Sequence, residues 1–333
     1  MRKLFSPIKG RDPYIIILAV STVLAFAVMA VTVPDRFLHV DNFASMAIQL
    51  SELGLFSVAM ALSLIIGGID LSVVAVANLA AIVAALVMRL IAADDASLAM
   101  LIIAFSCGLV SALMIGVIVG LINGMLVTRL GVPSILATLA TMTLFTGISF
   151  GITGGSAISG LPEGIDQLGR ASIFAIPAPF IAFAIIWFAV DLMLRKTRLG
   201  TTMMLVGASL KVARFSGIAT GRIILVTHLL CSVIAALAGF ISLLRMNSAN
   251  ADYGGTYVLL AILVSVLGGI SVAGGAGRMI GVLISLVLLQ FLSTGFNMLL
   301  LFVPDGNFFR DFVWGVLLLA IMALSHPLRR GKS

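Results

Sequence analysis

Residues 195–222 read RKTRLGTTMMLVGASLKVARFSGIATGR, a basic stretch between two apolar runs, residues 177–194 and 222–243. A bilayer core about 30 Å thick is crossed by roughly 20 apolar residues in a helix. Each flanking run therefore predicts a membrane-spanning helix, and the stretch predicts a long loop between two spans. It carries six Lys or Arg residues, so we expect this loop to offer a docking surface to a soluble partner.

The whole chain shares this apolar character. Hydrophobic residues make up 61% of it, charged residues 10%, and the mean hydropathy is +1.24. A water-soluble fold could not bury so much apolar side chain, and no alternation typical of strands is present. We expect an all-α polytopic membrane protein forming one transmembrane domain over residues 1–333. About ten spans are predicted: 14–33, 45–66, 72–91, 98–121, 133–153, 177–194, 222–243, 256–269, 279–302 and 309–326.

The net charge of +7 follows the predicted loops. With both termini inside and ten spans, 15 of the 20 Lys and Arg residues fall in inner segments, and nine acidic residues fall in outer ones. Lys and Arg favour the cytoplasmic side of membrane proteins. The charge therefore predicts an N-in, C-in orientation, and it does not indicate nucleic-acid binding.

No catalytic or metal-binding constellation is present. Cys107 and Cys231 lie in apolar windows, and the three histidines are not clustered. The chain has no P-loop, no HExxH helix and no GxSxG elbow. We expect a chain that is not an enzyme and that holds no metal and no cofactor.

Glu52 is the acidic residue that falls in the middle of a predicted span. A carboxylate at a helix centre costs on the order of 3 kcal/mol to insert, so we expect Glu52 to face a polar cavity or to carry a proton. Gln49, Asn78 and Asn297 are candidates for lining the same polar path across the membrane, because their amide groups both donate and accept hydrogen bonds. Hydrogen bonds between helices are the alternative role for each of them.

Glycine-rich inner turns and a small-residue stripe complete the pattern. One turn contains Gly67, Gly68 and Asp70, where Asp70 is a candidate cap of the next helix, and the other begins with Gly268 and Gly269. Their shared GGI sequence suggests an internal repeat. Small residues recur every four positions from 108 to 124, which favours close helix packing, within the chain or between subunits.

Four stretches in order resemble the ribose-type (simple-sugar) permease subunits of bacterial ABC importers, a group that includes autoinducer-2 relatives. They are IIGGIDLSVVAVANLAAIVAAL at 65–86, GLINGMLVTRLGVPSILATLATMTLFTGISFGITGG at 120–155, TRLGTTMMLVGASLKVARFSGI at 197–218 and LGGISVAGGAGRMIGVLI at 267–284. The resemblance covers residues 45 to 325. It implies a ten-helix permease that dimerises, receives a monosaccharide or related polyol-like solute from a periplasmic binding protein and is driven by cytoplasmic ATPase subunits, which hold the ATP and Mg.

By the same resemblance, residues 195–222 are the cytoplasmic coupling loop, and 203–217 match the short helix that contacts the ATPase. The residues that it implies make or shape this contact are Lys211, Ala213, Arg214, Ser216 and Gly217, with Gly207 opening the turn. The chain has Leu210 and Lys211 where the family commonly has proline and an acidic residue, so the solute is not assigned and the dimer is either a homodimer or a heterodimer with a paralogue. A proton-coupled secondary transporter that uses Glu52 is the alternative function.

Overall fold

The computed structural model describes residues 13–92, 96–165, 171–173, 176–299 and 316. Most of them are helical. The helices are α1 Pro13–Thr32, α2 Pro34–Phe37, α3 Val40–Ile65, α4 Val73–Ile91, α5 Leu98–Thr128, α6 Ser134–Thr153, α7 Ala178–Lys196, α8 Arg198–Ala208, α9 Leu210–Phe215, α10 Thr220–Met246, α11 Tyr257–Leu267 and α12 Met279–Leu299. Four two-residue strands, β1 Ile158–Ser159, β2 Ser172–Ile173, β3 Ile176–Pro177 and β4 Ser248–Ala249, form the antiparallel pairs β1–β4 and β2–β3.

Among the described helices, eight are long and apolar enough to cross a membrane: α1, α3, α4, α5, α6, α7, α10 and α12. The apolar helix α11 has 11 residues and corresponds to the short eighth predicted window. The tenth window, 309–326, lies outside the described residues. The largest difference is at the end of α5, which continues to Thr128. Helix α3 begins at Val40 rather than at residue 45, because the helix continues outward through a polar first turn that hydropathy does not register.

Local sequence explains several helix ends. The hydroxyls of Ser97, Thr197 and Ser209 accept hydrogen bonds from the backbone at the starts of α5, α8 and α9, which satisfies amide groups that have no partner within the helix. Helix α10 ends at Asn247 in a left-handed conformation, with φ 51°. An asparagine tolerates this conformation better than most residues, so the chain turns sharply into β4.

The two ends of the helix bundle differ in chemistry. The basic end carries α8 and α9, the α3–α4 turn (residues 66–72) and the α11–α12 turn (residues 268–278), and the start of α1 joins it where the Tyr14 hydroxyl donates to the carbonyl oxygen of Leu267 at 2.6 Å. The sheet end carries β1–β4, which ties the segments that follow α6 and α10. Of the 11 Lys and Arg residues in the described ranges, eight lie at the basic end: Arg129, Arg195, Lys196, Arg198, Lys211, Arg214, Arg222 and Arg278.

The centre of the bundle is built from α3 and α4. In their most apolar windows 83% and 67% of residues are buried, compared with 11% in α1, so α1 lies at the periphery. The small-residue stripe of α5 packs inside the chain: a Cβ at Gly116 would lie 2.8 Å from the carbonyl oxygen of Ser232 in α10, and one at Gly120 would lie 2.6 Å from the Cα of Leu229. The stripe therefore allows close approach of α5 and α10.

Candidate functional site

Helix α9 presents an exposed mixed surface at the basic end. Val212 and Phe215 are 63% and 84% exposed, and Lys211 and Arg214 are exposed beside them. Of the six residues of α9, Ala213 alone is buried, so its side chain packs the helix against the rest of the protein. An exposed phenylalanine next to two cations has the composition of a protein-docking site rather than of a solvated turn.

The sequence expectation for Gly207 needs correction. It lies in the last turn of α8, and the chain turns at Ser209, where the hydroxyl accepts from the backbone N–H of Val212. A Cβ at Gly207 would overlap the carbonyl oxygen of Ile65 and would lie 2.6 Å from the backbone nitrogen of Gly275. Glycine is therefore required here for close backbone packing, not to open a turn. The other predicted coupling residues lie in α9, namely Lys211, Ala213 and Arg214, or directly after it, namely Ser216 and Gly217.

Three chain segments meet around Gly207, and we call this contact the glycine junction: Ile65, Gly67, Gly207, Gly274 and Gly275. The backbone N–H of Gly275 donates to Ile65 at 2.8 Å. A Cβ at Gly274 would lie 2.7 Å from the oxygen of Gly207 and 2.8 Å from the Cα of Gly67. The junction brings the α3–α4 turn, the α11–α12 turn and the end of α8 into backbone contact.

The two GGI sequences adopt the same turn with a shift of one residue. Gly67 has φ 78° and Gly269 has φ 87°, so the first glycine of one GGI corresponds to the second glycine of the other. In both turns the residue after this glycine donates to the carbonyl five positions earlier, Gly68 to Ser63 and Ile270 to Ser265. The other glycine of each GGI sequence is needed for close packing. A Cβ at Gly68 would lie 2.7 Å from the Ser134 hydroxyl, and one at Gly268 would lie 2.5 Å from the nitrogen of Val282.

A buried polar cluster holds the α3–α4 turn, and we call it the polar clamp: Asp70, Ser72, Asn123, Thr141 and His228. Asp70 accepts from the backbone N–H of Ser72 at 3.0 Å and from its hydroxyl at 2.6 Å. The Asn123 amide donates to the Ser72 hydroxyl at 2.8 Å and accepts from Thr141 at 2.7 Å. His228 Nδ1 lies 3.4 Å from Asp70 Oδ2, and both side chains are fully buried. Helices α5, α6 and α10 thus contact one turn through polar side chains.

Glu52 lies in a second cluster towards the sheet end, the charged pocket: Glu52, Asn78, Arg245 and Tyr253. Arg245 donates to Glu52 at 2.6 Å and to the Tyr253 hydroxyl at 2.7 Å. Burial, and secondarily the charge of Glu52, raise the pKa of the Tyr253 hydroxyl, so it stays protonated and accepts this bond. The Asn78 amide donates to the carbonyl oxygens of Ala251 and Tyr253, and a small cavity opens between these groups.

The structure brings two of the four proposed path residues together. Glu52 and Asn78 both line the charged pocket. Gln49 instead accepts from the Gln290 amide of α12 at 3.3 Å. Asn297 is an exposed residue of α12 that does not line the pocket. The pocket residues carry polar contacts between helices, which was the alternative role considered for them.

The sequence alone did not identify Arg245, Tyr253 and His228 as partners. Arg245 lies just after the predicted window 222–243, and its side chain reaches back along α10 to Glu52, as long basic side chains commonly do. His228 lies inside that apolar window, where the local sequence gives no sign of a polar partner. One feature of the sequence could have indicated these partners: a carboxyl group buried in an apolar bundle, such as that of Glu52 or Asp70, needs a basic or hydrogen-bonding side chain beside it.

With this geometry described, comparison with known proteins gives the family. The model of the branched-chain amino acid transport system / permease component family matches residues 42–322. This chain belongs to that family. The permease is accordingly a multi-pass protein of the inner membrane, and the resemblance predicted from its four sequence stretches is confirmed.

Individual relatives agree with this family. The permease is 35% identical to the ribose import permease protein of Bacillus subtilis over 86% of this chain and 85% of the relative. It is 33% identical to the ribose import permease protein of Escherichia coli over 80% and 81%. It is also 33% identical to an autoinducer 2 import system permease protein of Yersinia enterocolitica over 62% and 56%. No solved structure matches the permease.

Proposed function

We propose that this chain is the transmembrane permease subunit of an ATP-driven ABC importer. The observation that carries the proposal is α9, a short helix at the basic end with Val212, Phe215 and two cations exposed. The chain has no nucleotide-binding motif, so the energy for transport must reach it through contact with another protein. Residues 195–222 are the coupling loop that makes this contact.

The proposed topology has ten spans with both termini in the cytoplasm. The support is the concentration of eight described basic residues at the basic end, which by the positive-inside rule faces the cytoplasm. The sheet end then faces the periplasm, where the paired strands β1 and β4 are available to a solute-binding protein. The sequence predicts the tenth span over 309–326.

The proposed solute is a monosaccharide or a related polyol-like molecule. Two relatives that align with this chain over more than 80% of their own length are ribose import permeases. A relative that aligns over a shorter part is an autoinducer 2 import permease. A periplasmic binding protein delivers the solute. The carboxylate, amide and hydroxyl groups of the charged pocket are the type of hydrogen-bonding groups that recognise such molecules.

The proposed assembly contains two permease chains, identical or paralogous, and ATPase subunits. ATP and Mg bind to the ATPase subunits. When these subunits close around ATP they displace α9, and the helices of the permease rock between inward-open and outward-open states.

The alternative, a secondary transporter that uses Glu52 as its proton site, loses its main argument. Glu52 lies 2.6 Å from the Arg245 guanidinium, so the carboxylate has a charged partner and its burial does not require a transported proton.

Purification of the tagged chain from its native host in mild detergent tests the proposal. We expect a stoichiometric ATPase subunit to co-elute, with one or two permease species that define a homodimer or a heterodimer. Absence of an ATPase, in a preparation that keeps other ABC importers intact, would contradict the proposed function.

A further inference from the structure

The α3–α4 turn is held on one side by polar side chains from three other helices. Ser134 and Thr138 of α6 accept from the backbone N–H groups of Ile69 and Leu71, both at 3.1 Å. The polar clamp adds α5 through Asn123 and α10 through His228. A turn bound to this many helices cannot shift alone without breaking several buried hydrogen bonds, each of which is costly to leave unmade.

The same turn is held on its other side by the glycine junction. Gly207 packs directly on the carbonyl oxygen of Ile65, and the N–H of Gly275 donates to that oxygen. Contacts between backbones have no flexible side chain to absorb a displacement. A movement of α8 therefore transfers to the turn with little loss.

Both of these attachments come from the chain on either side of α9. Gly207 lies two residues before Ser209, the residue that caps α9, and His228 lies eight residues after Thr220, where α10 begins. The coupling helix therefore has an attachment to the α3–α4 turn before it and another after it. A force on α9 reaches the turn by both routes.

The second route depends on the contact between Asp70 and His228. His228 Nε2 is buried and has no hydrogen-bond partner among the described residues. The contact of its Nδ1 with Asp70 Oδ2 at 3.4 Å is thus the polar contact that orients the imidazole. Both side chains are fully buried, where a polar contact is strong because water does not compete for it.

We infer that Asp70 and His228 form a positioning pair that makes the coupling loop and the α3–α4 turn move as one body. The inference rests on the proposed function. It assigns to these two residues the transfer of movement, produced when the ATPase subunits close, from α10 to α4, α5 and α6. Loss of the pair lowers the amount of solute moved per ATP more than it lowers ATP hydrolysis.

Three variants test the pair in the complete importer, purified from the host and reconstituted in proteoliposomes. The readouts are uptake of radiolabelled D-ribose, ATP hydrolysis and the unfolding temperature. We expect His228→Ala to lower ribose moved per ATP by about tenfold, within the usual range of coupling energies. His228→Asn restores most of the ratio, because its amide can donate to Asp70 from the position of Nδ1. The control His39→Ala, which removes the other His–Asp contact, at a side chain that is 64% exposed, leaves the ratio unchanged.

A second measurement on the otherwise unaltered chain applies where His228→Ala yields no folded complex or where the wild type takes up no ribose. Spin labels at Ala219, which links α9 to α10, and at Ile66 report the distance between the coupling loop and the α3–α4 turn. One rigid body keeps this distance constant within about 2 Å between nucleotide-free and ATP-bound states, whereas independent movement of about 5 Å, one helical turn, would overturn the inference.

The possible failures are distinguishable. A wild-type chain that binds no ATPase contradicts the proposed function and this inference with it. A working importer in which His228→Ala has an unchanged ratio, or loses uptake and ATP hydrolysis in equal proportion, contradicts the inference alone. The same holds if His228→Asn is as defective as His228→Ala.

Discussion

At the scale of single residues, the bundle solves the problem of buried charge by pairing. Glu52 is 1% exposed and Asp70 is fully buried, and each lies against a basic side chain of α10, Arg245 or His228. Removing one member of a buried pair is more damaging than replacing both, because the remaining charge has lost its partner and its water. Helix α10 therefore supplies the compensating groups for both central acids.

The unequal burial of the Glu52–Arg245 pair gives the first prediction. Arg245→Gln leaves the buried carboxylate without its cation, and we expect it to lower the free energy of unfolding by about 3 kcal/mol. Glu52→Gln leaves the cation, whose side chain is 23% exposed, and we expect a loss of about 1 kcal/mol. Unfolding of the two variants in detergent measures this difference; equal losses would show that the pairing is not asymmetric.

A charge reversal on α9 tests the docking surface. Arg214→Glu is expected to reduce retention of the ATPase on purification at least tenfold, about 1.4 kcal/mol, and to abolish uptake while the chain stays inserted and folded. Arg198→Glu is the matched control, because it makes the same charge change in the same loop at the start of α8, where a negative charge suits the helix dipole. Normal uptake in Arg214→Glu would remove the coupling role of α9.

At the scale of elements, the important contacts are those in which two backbones touch. Helix α8 meets α3 at Gly207, and α10 meets α4 at Gly239, where a Cβ would overlap the carbonyl oxygen of Ala77. Small residues allow this closeness in membrane proteins, where association rests on packing and hydrogen bonds rather than on the hydrophobic effect. The coupling loop is joined to the central helices by such a contact.

Two glycine-to-alanine changes separate close packing from helix propensity. Gly207→Ala introduces a methyl group against a backbone oxygen, and we expect a loss of about 1–3 kcal/mol together with impaired uptake. Gly221→Ala, where the nearest atom would be 3.9 Å away, is expected to change stability by less than about 1 kcal/mol, in the stabilising direction. Equal unfolding temperatures for the two variants would contradict the packing seen at Gly207.

The elements were predictable to a larger extent than the contacts between them. Runs of apolar residues identify a span such as α5 because the bilayer selects for length and hydropathy, and the longer helix found there follows from the apolar residues Met125, Leu126 and Val127, which continue the run towards 128. The contacts of Ile65 with Gly207 and Gly275 join residues that are far apart in the chain, and no local pattern encodes them. For the same reason Glu52 was identified as unusual while its partner Arg245 was not.

At the scale of the whole molecule, the two ends have opposite characters. The basic end carries an exposed coupling helix, and the sheet end carries four of the seven described acidic residues, Asp35, Asp41, Glu163 and Asp252. The asymmetry gives the molecule a direction in the membrane before any partner binds.

Cysteine labelling with a membrane-impermeant reagent tests this direction. We expect Asp252→Cys to react in cells with a permeable outer membrane and an intact inner membrane, and Lys211→Cys to react only after the inner membrane is opened. The native cysteines serve as the background control, because Cys231 is buried and Cys107, although exposed on the bundle surface, lies within the membrane-spanning helix α5, where a charged reagent does not reach it. Reaction of Lys211→Cys in cells with a closed inner membrane would reverse the orientation.

The pairing of both central acids with α10 has a consequence for biosynthesis. Asp70 precedes His228 by 158 residues, and Glu52 precedes Arg245 by 193 residues. At ribosomal speeds of about 5–20 residues per second, Glu52 waits roughly 10–40 s for its partner after it has been made. During this interval the carboxylates of α3 and of the α3–α4 turn lack their α10 partners. We therefore expect the nascent chain to depend on the insertion machinery to shield them, and chains that terminate before α10 to be recognised for proteolysis by their exposed charge.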